Sequence, residues 1–253
     1  MASAGEFIWY EMMTTDMDAA EAFYTSVVGW DAADAGMPGP KYTLLSRNGV
    51  NVAGLSTVEG GMPPAWLGHV LVENVDATAD KAVALGGKIV AAPQDIPGIG
   101  RFAALADPDG AVILIFRGDG DPPPSLGQMD EGNIGWHELM AGDLDGAWAF
   151  YSALFGWVKD QAMDMGEMGT YQLFKLDGGA AAIGGMMTKP KDVPAPPYWT
   201  YYANVDAMDA AIERVKAGGG QIVFGPMEVP GGAWAANGID PQGAFFSIVA
   251  PKR

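Results

Sequence analysis

The spacing of apolar residues changes period once within the first thirty positions. Phe7–Met13 (FIWYEMM) is an almost unbroken aromatic and apolar run, which predicts a strand. Further on, Ala20, Phe23, Tyr24 and Val27 fall at i, i+3, i+4 and i+7, so a helix with one apolar face is expected. Thr15 or Asp16 caps it and Gly29 supplies its left-handed stop. Short strands follow near 42–45 and 50–56. The order then restarts, with a strand over 66–72 and a helix opened by Asp76 and running to Leu85. Gly86-Gly87 ends that helix, and strands follow at 88–91, 101–105 and 111–116. The turn Asp107-Pro108-Asp109-Gly110 makes the last two strands a hairpin.

The same order occurs again. Trp9–Trp30 matches Trp136–Trp157 at 11 of 22 positions, among them Glu11/Glu138, Asp16/Asp143 and Phe23-Tyr24/Phe150-Tyr151. Pro63–Phe116 matches Pro196–Val249 at 20 of 54 positions without a gap, including Trp66/Trp199 and Asp107-Pro108/Asp240-Pro241. Chance identity would be far lower, so one fold is used twice. The second half predicts helices over 143–155 and 206–217 and a hairpin at Asp240-Pro241-Gln242-Gly243. Strand, helix, three strands, repeated four times, is an α+β pattern of four βαβββ modules. Domains are expected at 1–117 and 132–253, joined by a Pro/Gly/Asp-rich linker over 118–131.

Two motifs recur in both halves. One is an apolar strand followed by D-x-x-x-A-x-x-F-Y-x-x-x-x-G-W; the other is D-P-x-G-A before an apolar strand. On these motifs the chain resembles the vicinal oxygen chelate superfamily of glyoxalase I, bleomycin-resistance proteins and extradiol dioxygenases. More narrowly it resembles the tandem glyoxalase-like "hydroxylase/antigen" type. The resemblance implies two glyoxalase-like domains with cupped, mostly antiparallel sheets around a cavity. It also implies where a metal would sit. First-strand ligand positions fall on Trp9 and Trp136, and on Leu67 and Thr200. Last-strand positions fall on Leu114 and Ser247, and the remaining ones near Ala53 and Gly184. None is a His, Asp, Glu or Cys, so no metal site and no cofactor are expected.

Composition narrows the remaining chemistry. The chain has no cysteine and two histidines, which removes thiolate chemistry and a His-rich site in each half. With 31 acidic and 14 basic side chains the net charge is −17; nucleic acid and anionic membrane surfaces are not expected partners. The first residues lack the basic and apolar regions of a signal peptide, and no apolar run reaches about 18 residues. The expectation is a cytoplasmic protein, a monomer or weak homodimer, whose partner is a small molecule.

Strand alternation assigns faces. Trp9, Glu11 and Met13 share one, as do Leu67 and His69. The matching second-half residues are Trp136, Glu138 and Tyr202, whereas His137 points to the helix side. Glu11 and His69 are candidates for an acid/base pair, or for a polar pair that satisfies itself. Trp9, Trp66, Trp136 and Trp199, in a chain with 15 Met and 8 Trp, are candidates for an aromatic ligand wall or for core. Arg101 reads as a rim residue able to hold an anion, or as a solvated surface group. Three functions are compatible with this inventory. The first is metal-independent binding of a small, partly aromatic metabolite or antibiotic. The second is a metal-independent isomerase or lyase acting beside a carbonyl with Glu11 and His69. The third is a metal-dependent glyoxalase or dioxygenase with displaced ligands.

Overall fold

The computed structural model describes residues 3–58, 60–120 and 124–253. The first module comprises β1 (Phe7–Thr14), α1 (Met17–Val28), β2 (Asp31–Asp34), β3 (Thr43–Arg47) and β4 (Val50–Thr57). The second comprises β5 (Ala65–Leu71), α2 (Val75–Ala84), β6 (Lys88–Ile96), β7 (Gly100–Ala106) and β8 (Val112–Gly118). The third has β9 (Ile134–Ala141), α3 (Leu144–Phe155), β10 (Val158–Asp164), β11 (Thr170–Lys175) and β12 (Gly184–Thr188). The fourth has β13 (Tyr198–Asn204), α4 (Met208–Ala217), β14 (Gln221–Glu228), β15 (Trp234–Ile239) and β16 (Phe245–Ala250). The strands form two open eight-stranded sheets, ordered β2-β3-β4-β1-β5-β8-β7-β6 and β10-β11-β12-β9-β13-β16-β15-β14. In each module the first strand runs parallel to the last and the other pairs are antiparallel, so both sheets are mixed.

Helix starts follow local hydrogen bonding. Asp16 and Asp143 cap α1 and α3, accepting from the backbone N–H of Ala19 and Gly146. Gly29 and Gly156 close the same helices with positive φ. Asn74, not Asp76, caps α2, because its side chain accepts from the Ala77 N–H. Helix α4 opens at Met208 rather than at Asp206, whose carboxylate is held by the Arg214 guanidinium at 2.7 Å.

Compactness cuts across the repeat. One compact unit consists of residues 1–8, 68–123 and 137–199; the other consists of 9–67, 124–136 and 200–253. The first unit thus joins most of modules two and three, and the second joins most of modules one and four. In the second unit α1 lies against α4. Arg214 donates to the Val27 carbonyl at 3.0 and 3.1 Å, and Phe23 meets Phe246 edge-on at 5.5 Å. In the first unit α2 lies against α3, and the absence of a side chain at Gly87 admits the Phe150 ring.

The recurring motifs build the same buried relay in both units. In the second unit the Trp66 indole N–H donates to the Tyr24 hydroxyl at 2.9 Å, and Tyr24 donates to Asp240 at 2.9 Å. The other Asp240 oxygen accepts the N–H groups of Gln242 and Ala244. In the first unit Trp199 donates to Tyr151 at 2.9 Å and Tyr151 to Asp107 at 3.1 Å, with Asp109 and Ala111 completing the turn. Each F-Y motif is therefore bonded to the D-P-x-G motif of the other half.

His137 is buried in the first unit, stacked on Phe7 at 3.9 Å, and its Nδ1–H donates to the Ile183 carbonyl at 2.6 Å. Burial pushes its pKa down to about 4. The folded state therefore binds this proton less readily than the unfolded state, and the resulting stability is present above pH 6.5 and lost as pH falls toward 4. It amounts to roughly 3 kcal/mol. Glu11, Asp107 and Asp240 are raised, chiefly by burial, and act in the opposite direction, favouring the fold as pH falls. Urea unfolding of the wild type and of His137→Gln between pH 7.5 and 4.5 separates the two. The wild type should lose its advantage over the variant across that range; a constant difference would disprove the assignment.

Candidate functional site

In β1, Tyr10, Met12 and Thr14 are buried while Trp9, Glu11 and Met13 are partly exposed, the alternation of a strand with one covered face. On the partly exposed face a short network forms within the second unit. The Trp9 indole N–H donates to the Tyr42 hydroxyl at 3.0 Å, and Tyr42 donates to Glu11 Oε2 at 2.7 Å. Ser56 also donates to the Glu11 carboxylate. Gly54 stands opposite Glu11 in the β1–β4 register, and a Cβ there would collide with the Tyr42 hydroxyl. The glycine is thus the space in which the phenol reaches the carboxylate. Desolvation by burial raises the Glu11 pKa, and these hydrogen bonds partly counter it; burial and the Glu11 charge raise Tyr42, keeping it a donor.

The first unit repeats the arrangement. Tyr171 donates to Glu138 at 2.9 Å, Gly185 pairs with Glu138 between β12 and β9, and a Cβ on Gly185 would strike Tyr171. Tyr198 is also in this unit, its phenol pushed up to about 12 by burial and by the Glu138 charge.

The two units regroup the candidate residues. Glu11 shares its unit with Tyr202, and Glu138 shares its unit with His69. Glu11 and His69 lie in different units. His69 is buried, opposite Leu114 in the β5–β8 register and 6.3 Å from the Phe116 ring. Trp66 and Trp199 donate their N–H groups to the buried relays and pack among rings: Trp66 on Tyr24 and Trp30, Trp199 on Phe7, Tyr151 and Trp157. The cavity near Trp66, lined by Tyr24, Trp30, Tyr201 and Phe246, has a volume of about 10 Å³, room for about one water. Met13 and Trp136 are partly exposed strand residues. Arg101 binds Asp76 through two nitrogens and Asp95 through the third, all at 2.8 Å, so its charge is matched by surface carboxylates. Tyr42 and Tyr171 escaped the sequence reading. The signal was present as the strand pattern Tyr-x-Leu in both halves, followed by Gly54 and Gly185.

Two positions assigned to a metal by resemblance do come together. The Thr200 and Ser247 hydroxyls share a hydrogen bond of 2.6 Å in the second unit. Asn237 donates to Ser247 at 2.6 Å and to the Tyr202 hydroxyl at 3.3 Å. These groups are neutral and engaged with one another. Among the described residues no three His, Cys, Asp or Glu side chains converge. Among the described residues, the neutral Thr200–Ser247 pair does not fit a divalent metal.

The profile of the Glyoxalase/Bleomycin resistance protein/Dioxygenase superfamily matches residues 7–115 and 133–248. The chain belongs to that family. A Mycobacterium tuberculosis protein named "Putative glyoxylase CFP32" is 34% identical over 249 residues, covering 96% of this chain and 94% of that one. The anthracycline biosynthesis protein DauV of Streptomyces sp. strain C5 is 29% identical over 265 residues, covering 95% and 91%. Among solved structures, the Mn(II)-bound glyoxalase of Novosphingobium aromaticivorans gives a TM-score of 0.66 at 18% identity, covering 99% of this chain and 83% of that one. The 2,2',3-trihydroxybiphenyl 1,2-dioxygenase of Sphingomonas wittichii gives 0.66 at 11%, covering 98% and 91%. These likenesses show the fold. No helix among the described residues is long and apolar enough to cross a membrane.

Proposed function

We propose that this chain is a metal-independent member of the family that binds a small, partly aromatic metabolite or antibiotic. The observation that carries this reading is the partly exposed Trp9–Tyr42–Glu11 network, an aromatic wall with one directed carboxylate. Neutral groups at the would-be metal positions Thr200 and Ser247 support it. The relative named for anthracycline biosynthesis supports a planar, polycyclic ligand. The protein works in the cytoplasm, as a monomer or weak homodimer. Proton transfer by Glu11 in an isomerase or lyase reaction is the second reading, favoured by burial that raises its carboxyl pKa; His69, in the other compact unit, is not grouped with it.

Titration with a panel of planar metabolites and antibiotics should change the intrinsic tryptophan emission, with Kd values in the micromolar range, about −8 kcal/mol. Trp9→Phe should remove most of that response. Unchanged emission across the panel would refute the binding reading.

A further inference from the structure

The Glu11 carboxylate is directed toward neutral groups only. Its hydrogen-bond donors are Tyr42 and Ser56, with the Trp9 indole beside them bound to Tyr42. Among the described residues no Lys or Arg forms an ion pair with it; every basic side chain in such a pair is matched to another acid. A carboxylate partly withdrawn from water is stabilised by a compensating positive charge, and neutral donors compensate it only in part. An indole and a phenol stand beside it, and aromatic side chains favour organic cations. The chain's charge of −17 draws cations rather than anions toward the protein.

We propose that Glu11, Tyr42 and Trp9 form a subsite for the protonated amine of an otherwise planar, aromatic ligand. The inference rests on the small-molecule reading above and makes it specific. Tyr42 fixes one carboxylate oxygen, and Gly54 leaves the phenol room to do so. The carboxylate's remaining lone pairs face the ligand's ammonium, which donates to them. Trp9, its N–H engaged by Tyr42, is held in place as a side wall.

The test compares an anthracycline carrying a free amino sugar with the same molecule N-acetylated, by fluorescence titration of the full chain. The wild type should prefer the free amine by about 10- to 100-fold, the range of a hydrogen bond to a charged group. Glu11→Gln should abolish that preference, the variant binding the two probes equally. If the variant does not fold, as judged by its thermal melt, the wild-type comparison alone decides. Equal binding of both probes by the wild type overturns the cation subsite and leaves the small-molecule reading standing. Binding of neither probe overturns the cation subsite; silence across the wider panel as well overturns the small-molecule reading.

Discussion

Tyr24→Phe is expected to lower the unfolding free energy by about 2–3 kcal/mol, the cost of leaving the Trp66 N–H and one oxygen of the buried Asp240 carboxylate without their shared partner. The Tyr24 hydroxyl accepts from Trp66 and donates to Asp240, so deleting one oxygen removes two hydrogen bonds. Asp240 is buried and its pKa is already raised by desolvation; losing the Tyr24 donor makes its charge costlier still. The ring itself remains, so packing against Trp66 and Phe246 is conserved. Tyr151→Phe should cost a similar amount through Trp199 and Asp107. Urea denaturation with an unchanged m value is the measurement. A loss below about 0.5 kcal/mol in both variants would show that the relays contribute little.

Gly54→Ala is expected to weaken ligand binding about tenfold or more while costing about 1 kcal/mol of stability, since the methyl meets the end of a side chain and not the backbone. Tyr42 must swing away from Glu11, and the Trp9 N–H loses its acceptor. Tyr42→Phe, which keeps the ring and deletes the hydroxyl, should weaken binding to a similar degree. Isothermal titration of both variants with the free-amine anthracycline checks this. Binding that survives both changes would mean that the phenol does not organise the site.

The motifs made the modules legible. Their apolar periodicity, the Asp caps and the Gly stops are local features, written in consecutive residues and repeated in each half. Pairing of modules was not legible. Because Glu11 equals Glu138 and Trp66 equals Trp199 by descent, the repeat is silent about which copy meets which. Tyr24 bonding to Asp240 and Tyr151 to Asp107 settles it within each compact unit, and this is a long-range fact with no local signature. The Tyr42–Glu11 contact was obscured for another reason. The spacing between the halves changes between the two matched blocks, and Tyr42 and Gly54 fall in that interval. The strand β2, Asp31–Asp34, also falls there; its sequence DAAD lacks the β-branched and aromatic residues that mark a strand, and it exists because β3 offers it an edge.

The interleaving of the compact units sets the order in which a nascent chain can complete them. Everything in the unit built from 1–8, 68–123 and 137–199 has been synthesised once residue 199 is added. Residues 9–67 are made earlier, yet their partners in 200–253 are synthesised only after residue 199. At about 5–20 residues per second, the strand carrying Trp9 and Glu11 spends roughly ten seconds or more outside the ribosome before Asp240 exists to receive Tyr24. The part of α1 that lies against α4 has no partner for that interval, so residues 9–67, made before 68–199, complete their unit after them.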